Sequence, residues 1–252
     1  MQEKHVPSLG LRYWFVFGMV SIFGANASDL ATVLLGAGHV RGLPMLAVAL
    51  VVAAILVVEL FDKSSTHAWY WLVIAIIPMA SINLADSMLV DMGLGEIWVI
   101  LALAVLLLLT LIISRSEATL LVSELMIARP GPHARPLTDA GHWFAMVVAS
   151  SLGTIVGDYC SISLRLGLVW ASVLLSVLVL AVFWLHRVID VNRLFLYWLT
   201  IVALRAAGAV IADLLAKQPH LALGLPVSTA LTGALSLALL ILWRDRRGER
   251  VR

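Results

Sequence analysis

The sequence predicts an all-α polytopic membrane protein, because apolar residues dominate the composition and run in long stretches. Hydrophobic residues make up 62% of the 252 residues and charged residues only 13%, and the mean hydropathy is +1.03. Most apolar stretches exceed the roughly 17 residues that a helix needs to cross a bilayer, and none shows the roughly ten-residue alternation of a transmembrane β-strand. A soluble globular domain is therefore excluded.

A fourfold internal repeat organises these stretches. Each copy carries a tryptophan followed fifteen residues later by an aspartate within apolar sequence. Small residues recur five residues before the aspartate and one residue before it. Because small residues allow helices to approach closely in membranes, we expect the aspartate helices to pack on one another. The four pairs are Trp14 and Asp29, Trp71 and Asp86, Trp143 and Asp158, and Trp198 and Asp213.

Each copy contains two predicted spans, because a short break follows the aspartate and a second apolar stretch follows the break. Glycines mark the break in the first three copies, and the fourth has a longer segment that contains Pro219. Two spans per copy mean that all four copies enter the membrane in the same direction, which allows pseudosymmetry about the membrane normal. The eight transmembrane helices are predicted at roughly 12–35, 43–61, 69–91, 96–113, 141–165, 168–186, 194–216 and 224–243.

The eight spans form a single predicted membrane domain over residues 1–245. The tryptophans of the second and third repeat pairs are 72 residues apart, whereas those at the other two junctions are 57 and 55 residues apart. This difference places an insert at 114–140. We expect this cytoplasmic insert to contain a short interfacial helix followed by a proline-rich linker. Residues 244–252 form a basic tail. The predicted repeats are about 11–63, 68–115, 140–188 and 194–245.

The distribution of positive charge predicts the orientation in the membrane. Loops on the N-terminal side, together with both termini, carry thirteen Lys and Arg residues, whereas the opposite loops carry three and Arg205 lies within a span. The positive-inside rule therefore places both termini in the cytoplasm of an inner-membrane protein. Residues 25–27 are similar to a signal-peptidase site, but they lie in one copy of a fourfold repeat, so we expect the first helix to be retained.

These residues give the chain a resemblance to a known family. The tryptophan and aspartate pairs, with the strings at Gly24–Asp29, Asn83–Asp86 and Gly157–Asp158, resemble a bacterial family of uncharacterised membrane-anchored proteins. That family is described as four tandem repeats of unknown function, each with two spans and a tryptophan. The resemblance covers nearly all of residues 11–245 and implies this architecture in a bacterial plasma membrane, but no activity. Repeat four departs most, because it lacks the compact Leu-Gly break and carries Arg205.

The aspartates are the main candidates for function, because a carboxylate at a helix centre in a membrane costs about 2.5–3.5 kcal/mol. In the first two copies an asparagine lies three residues before the acid, which puts an amide oxygen and a carboxylate on one helical face. Such ligands suit hard divalent cations such as magnesium or manganese. We therefore expect a metal ion, with a coupled proton as an option, to be the transported substrate. The predicted ion-binding residues are Asn26, Asp29, Asn83, Asp86 and Asp158.

The fourth copy predicts a different use of its acid. Lys217 follows Asp213 by four residues and Arg205 precedes it by eight, so we expect Asp213 to be ion-paired. Arg205 is also a candidate for gating or anion contact, because a charge within a span is unusual. His39 and His220, on the predicted outer side, are weaker metal-ligand candidates.

The leading hypothesis is a transporter or channel for a small cation. One alternative is a membrane scaffold or sensor whose aspartates lock the helix breaks, and the other is a membrane enzyme or lipid-binding protein. The sequence contains no P-loop, zinc-protease, serine-hydrolase or dinucleotide-binding motif, so we do not expect an enzyme. The single cysteine, Cys160, excludes an intramolecular disulfide. The expected partners are the lipid bilayer and the cation, without nucleic acid, and an oligomer is compatible with the sequence.

Overall fold

The structure is a computed structural model, and helices account for most of the chain that it describes. The described residues are 6–7, 9–34, 53, 57, 68–86, 88–89, 93–113, 138–188, 193–218 and 223–248.

Seven α-helices and one π-helical turn, without any β-strand, are found in these described ranges. Six of the helices are long and apolar enough to cross a membrane, and α2 contains a shorter apolar stretch at Trp69–Ile82. The prediction of an all-α membrane-type protein is therefore confirmed. The helices are α1 (Leu11–Leu34), α2 (Ala68–Asp86), α3 (Glu96–Ile113), α4 (Ala140–Asp158), α5 (Gly167–Val188), α6 (Arg193–Lys217) and α7 (Gly224–Gly248), and the π-helical turn Tyr159–Ser163 continues α4.

The described helices correspond to seven of the eight predicted spans. Apart from residues 53 and 57, the predicted span 43–61 lies outside the described residues. The segment 114–137, which holds most of the predicted insert, lies outside them as well. Helix α7 continues to Gly248, so helical structure extends past the predicted span end at residue 243 and into the predicted basic tail.

Glycines lie at the described breaks between helices. Gly93, Gly167 and Gly224 have φ angles of 65°, 69° and 72°, a left-handed conformation that residues with a Cβ rarely adopt. Gly167 and Gly224 are the first residues of α5 and α7, and Gly93 lies three residues before α3. Glycine at these positions therefore allows the chain to leave one helix and begin the next within a few residues.

Four helices form a closed ring. Helix α1 contacts α2, α2 contacts α4, α4 contacts α6, and α6 contacts α1 again. We call these four the ring helices, and they are the helices that carry the tryptophan and aspartate pairs. The outer helices are α3, α5 and α7, which pack on α4, α6 and α1 respectively. Each outer helix therefore covers the ring helix of the next copy, and α7 covers the first ring helix of the chain.

The ring helices begin at the same end of the bundle. Tyr13 of α1 and Tyr70 of α2 have their hydroxyl oxygens 2.6 Å apart, and the Tyr13 hydroxyl is 3.4 Å from that of Tyr197 in α6. The rings of His142 in α4 and Tyr197 have centroids 6.3 Å apart. All four residues lie within the first five residues of their helices. We call them the aromatic cluster.

Small side chains allow the ring helices to make close contact. A Cβ added to Gly24 would lie 2.7 Å from the Pro78 side chain, and one added to Gly153 would lie 2.6 Å from the Arg205 Cβ. Serine fills the same position in α2, where Ser81 Oγ donates to the Val147 carbonyl oxygen at 3.3 Å. All three residues lie five positions before an aspartate, so the predicted packing of the aspartate helices through small residues is confirmed.

The buried core lies inside the ring, and the outer helices present apolar residues outward. Phe17, Ile74, Met146 and Ile201, one from each ring helix, are fully buried. The outer helices α3, α5 and α7 expose many large apolar side chains, as expected for surfaces in contact with lipid. Examples of these exposed residues are Trp98, Leu108, Trp170, Leu180, Trp184, Leu237 and Ile241.

Candidate functional site

A lysine bridges two of the predicted aspartates at the end of the ring opposite the aromatic cluster. Lys217 Nζ lies 2.7 Å from Asp213 Oδ1 and 2.9 Å from Asp29 Oδ2. Asp213 precedes Lys217 by one turn of α6, and the contact between α1 and α6 brings Asp29 to the same ammonium. We call these three residues the Lys217 triad. The predicted ion pairing of Asp213 is observed here, with Lys217 as the partner.

The Lys217 triad is only partly buried. The Lys217 side chain is 49% exposed, and those of Asp29 and Asp213 are 27% and 30% exposed. Exposed ion pairs contribute about 0–1 kcal/mol to stability, because solvent screens the charges. One ammonium between two carboxylates leaves a formal net charge of −1. The triad is therefore a weakly stabilising, partly exposed charge cluster that joins two ring helices.

The structure does not bring Asn26 and Asp29 into one binding site. Asn26 is 1% exposed, and its Nδ2 donates to Ser228 Oγ of α7 at 2.7 Å. Asp29 contacts Lys217 of α6. The two residues are three positions apart on α1, but Asn26 therefore contacts the outer helix α7 and Asp29 contacts the ring helix α6.

The other predicted ligands do not complete a cation site within the described part of the chain. Asp158 is half-buried at the end of α4, where its carbonyl oxygen accepts from Ser161 Oγ at 3.2 Å. The side chains of Asn83 and Asp86 lie outside the described residues, as do His39 and His220. Among described residues, no group of three or more His, Cys, Asp or Glu side chains is placed to hold a metal ion. The five-residue cation site stays a prediction.

Arg205 lies inside the ring and away from Asp213. Its side chain is 3% exposed, and Nη2 donates to the Ile74 carbonyl oxygen at 3.0 Å. The Cζ atom lies 4.8 Å from the centroid of the Phe17 ring, a cation–π contact. Since Lys217 forms the ion pair with Asp213, the predicted pairing of Arg205 with that acid is not formed. Arg205 is a buried cation between α1, α2 and α6.

The aromatic cluster closes the opposite end of the ring, and it was missed at the sequence level. In every copy its member directly precedes the tryptophan and meets it edge to face, with interplanar angles of 82°, 86°, 77° and 81°. All four tryptophans are buried, so they pack the ring and do not form an exposed belt. The sequence signal for this cluster was a second recurring position of the repeat, directly before the tryptophan. The cluster residues are Tyr13, Tyr70, His142 and Tyr197.

Polar groups thus lie at three levels along the ring. The aromatic cluster lies at the start of the ring helices, Arg205 lies deeper in the ring, and the Lys217 triad lies at the far end. Of the three, only the triad is substantially exposed at the protein surface. This arrangement can exchange protons or ions at the triad, and it can hold a negative group at Arg205.

Comparison with known proteins gives two family matches, both in the second half of the chain. Residues 142–190 and 196–248 match the family model described as Repeat of Unknown Function (DUF347). The first match falls on α4 and α5, and the second falls on α6 and α7. No curated protein and no solved structure matches the chain. The predicted resemblance to a family of tandem repeats of unknown function is therefore confirmed in the second half of the chain, where residues 142–190 and 196–248 are each similar to the DUF347 repeat.

Proposed function

We propose that the chain is a membrane transporter that exchanges protons at the Lys217 triad. The observation that carries this proposal is the bridging position of Lys217, whose ammonium contacts Asp29 of α1 and Asp213 of α6. When a proton binds the Asp29 carboxylate, the ion pair between α1 and α6 is lost, while the pair within α6 remains. Protonation of one residue thus changes the contact between two ring helices, which is the coupling that a proton-driven transporter needs.

A proton fits the triad better than the divalent metal that the sequence suggested. Lys217 Nζ already occupies the space between Asp29, a predicted metal-binding carboxylate, and Asp213. A divalent ion about 4 Å from this ammonium would meet a repulsion of about 8 kcal/mol at an effective dielectric constant near 20. A proton carries half the charge of a divalent ion and forms a covalent bond to a carboxylate oxygen, so the ammonium opposes its binding less strongly.

The proposed orientation follows the distribution of basic residues along the chain. With both termini in the cytoplasm of an inner membrane, the aromatic cluster faces the cytoplasm and the Lys217 triad faces the opposite side. The proposal keeps eight spans in four parallel repeats, with the predicted span 43–61 as the second span of the first repeat. No catalytic role is proposed, and the lipid bilayer is the proposed environment of the outer helices.

The proposal is tested by proton flux into liposomes that contain the purified protein. An internal pH-sensitive dye reports acidification after an imposed pH gradient, with the membrane potential clamped by potassium and valinomycin. We expect Asp29→Asn to lower the initial rate by about tenfold or more, because the carboxylate that carries the proton is gone.

Glu96→Gln is the matched control for this experiment. Glu96 is the first residue of α3, its carboxylate contacts Ser163 Oγ, and it lies outside the triad. The substitution Glu96→Gln removes the same charge as Asp29→Asn at the same end of the bundle. The proton flux of this variant should therefore equal that of the wild type. Equal flux in wild-type and Asp29→Asn liposomes would reject the transport proposal.

A structural scaffold is the second candidate, and the buried bond between Asn26 and Ser228 favours it. A scaffold uses its polar groups to lock helices together and moves no solute. In that case Asp29→Asn should lower the melting temperature in detergent, and neither wild-type nor variant liposomes should acidify faster than protein-free liposomes.

A further inference from the structure

Arg205 is a charge that the ring does not require. The equivalent residues, eight positions before the aspartate, are Ser21 in α1, Pro78 in α2 and Ser150 in α4. Pro78 contacts Gly24, and Ser21 contacts Gly208, in the same way that Arg205 contacts Gly153. The same helix contact therefore forms around a small or apolar side chain elsewhere in the ring. Burial of a guanidinium at this position needs a reason other than packing.

The Arg205 guanidinium has unused hydrogen-bonding capacity. Only Nη2 donates, to the Ile74 carbonyl oxygen, and the Phe17 ring lies against the Cζ atom. No acceptor within the described ranges lies at hydrogen-bond distance from Nε or Nη1, although the residue is buried. Nε carries one N–H bond and Nη1 carries two, so three charged donors are available to a ligand. Buried donors of this kind are costly to leave unpaired.

The surroundings of Arg205 define the ligand chemistry. Phe17 and Ile74 are fully buried apolar residues beside the guanidinium. A planar fork of N–H donors matches the two oxygens of a carboxylate, and an apolar wall accommodates a short alkyl group.

We propose that Arg205 binds a small oxyanion inside the ring and that a short monocarboxylate is the best match. This inference goes beyond proton exchange and does not depend on it, since the Lys217 triad uses other residues. Because Arg205 is 3% exposed, a ligand reaches it only when the ring helices separate. The described conformation is therefore an occluded one with respect to this site.

The experiment is calorimetric titration of the full chain in lipid nanodiscs with sodium formate, acetate and nitrate. Ionic strength is held constant with a bulky sulfonate buffer, and acetamide serves as the uncharged counterpart of acetate. We expect saturable binding of formate or acetate and none of acetamide. Binding to Arg205→Ser should be at least about tenfold weaker, because the charge-assisted hydrogen bonds are lost.

Two further measurements separate binding from a structural role. Arg205→Ser carries the residue that α1 and α4 already have at this position, so we expect it to fold with undiminished thermal stability in the absence of anion. Arg205→Lys keeps the charge but loses the planar fork, so it should bind more weakly than the wild type. The anion should raise the melting temperature of the wild type and not that of Arg205→Ser.

The proposal is overturned by either of two results. One is the absence of saturable binding of formate, acetate and nitrate by the wild type. The other is equal binding by the wild type and Arg205→Ser. If Arg205→Ser does not fold, equal affinities of Arg205→Lys and the wild type would overturn the proposed recognition by the guanidinium fork. Equal proton flux in the wild type and Asp29→Asn, together with intact anion binding, would reject the transport proposal and leave this inference standing by itself.

Discussion

At the scale of single residues, the absence of a side chain is as important as its presence. Gly153 lies where a Cβ would be 2.6 Å from Arg205 Cβ and 2.8 Å from the Val202 carbonyl oxygen. Both neighbours belong to α6. Neither can move away from an added Cβ without a shift of the helix backbone or of the aliphatic stem of the buried arginine. Glycine at this position therefore sets the distance between α4 and α6, and that distance determines where Arg205 lies.

We expect Gly153→Ala to destabilise the protein by about 1–3 kcal/mol, because an added methyl group forces the two helices apart. Thermal unfolding in detergent, followed by circular dichroism, measures the effect. Gly18→Ala is the control, since its Cβ would meet only the Leu204 side chain at an ordinary 3.6 Å. Alanine favours helix by about 0.5–1 kcal/mol over glycine, so Gly18→Ala should be neutral or stabilising. Equal losses in the two variants would contradict the contact described for Gly153.

The sequence predicted individual site residues only where their partners are close along the chain. The pairing of Lys217 with Asp213 followed from their spacing of four residues on a helix. The contact of Lys217 with Asp29 and that of Asn26 with Ser228 join residues about two hundred positions apart, so no local spacing indicates them. The prediction that Asn26 and Asp29 share one helical face was geometrically correct. The two side chains nevertheless contact different helices, Asn26 contacting α7 and Asp29 contacting α6.

At the scale of elements, the contact between α1 and α7 rests on a buried polar bond. Asn26 and Ser228 are both almost completely buried, and the amide nitrogen donates to the hydroxyl oxygen at 2.7 Å. Next to it, Phe23 lies against Gly233, where an added Cβ would be 2.9 Å from the ring. A bond of this kind specifies which faces of the two helices meet, because the apolar residues around it would tolerate other registers.

A double-mutant cycle should therefore give a coupling energy of about 0.5–2 kcal/mol between Asn26→Ala and Ser228→Ala. Unfolding of the single and double variants in mixed micelles supplies the four free energies. Thr229→Ala is the control partner, because Thr229 Oγ1 donates to the Leu225 carbonyl oxygen of its own helix. Its coupling with Asn26→Ala should be close to zero. A coupling as large as that of Ser228→Ala would argue against a specific bond.

At the scale of the whole molecule, the ring is closed within one chain. Two of the ring contacts join the two halves of the sequence, because α1 meets α6 and α2 meets α4. The repeat phasing predicted which helices pack together, since the tryptophan and aspartate column marks α1, α2, α4 and α6. It did not predict which ring helix each outer helix covers, because apolar sequences such as α3 and α5 fit many neighbours equally well.

We expect cysteines at Asn26 and Ser228 to cross-link within one molecule in a Cys160→Ala background. A protease site placed in the predicted linker at 130–136 divides the chain after oxidation. On a denaturing, non-reducing gel the two halves should then migrate as one band. Cysteines at Asn26 and Ser172 are the control, because Ser172 lies on α5, which packs mainly on α6. Separate halves for the Asn26 and Ser228 pair would reject the packing of α7 on α1.

The placement of α7 on α1 has a consequence for biogenesis. The Asn26 amide is inserted into the membrane with the first helix, but its partner Ser228 is synthesised about two hundred residues later. During translation the nascent protein therefore holds the Asn26 amide in lipid without its Ser228 partner until α7 is inserted. A chain interrupted before α7 would leave this polar group without that hydrogen bond.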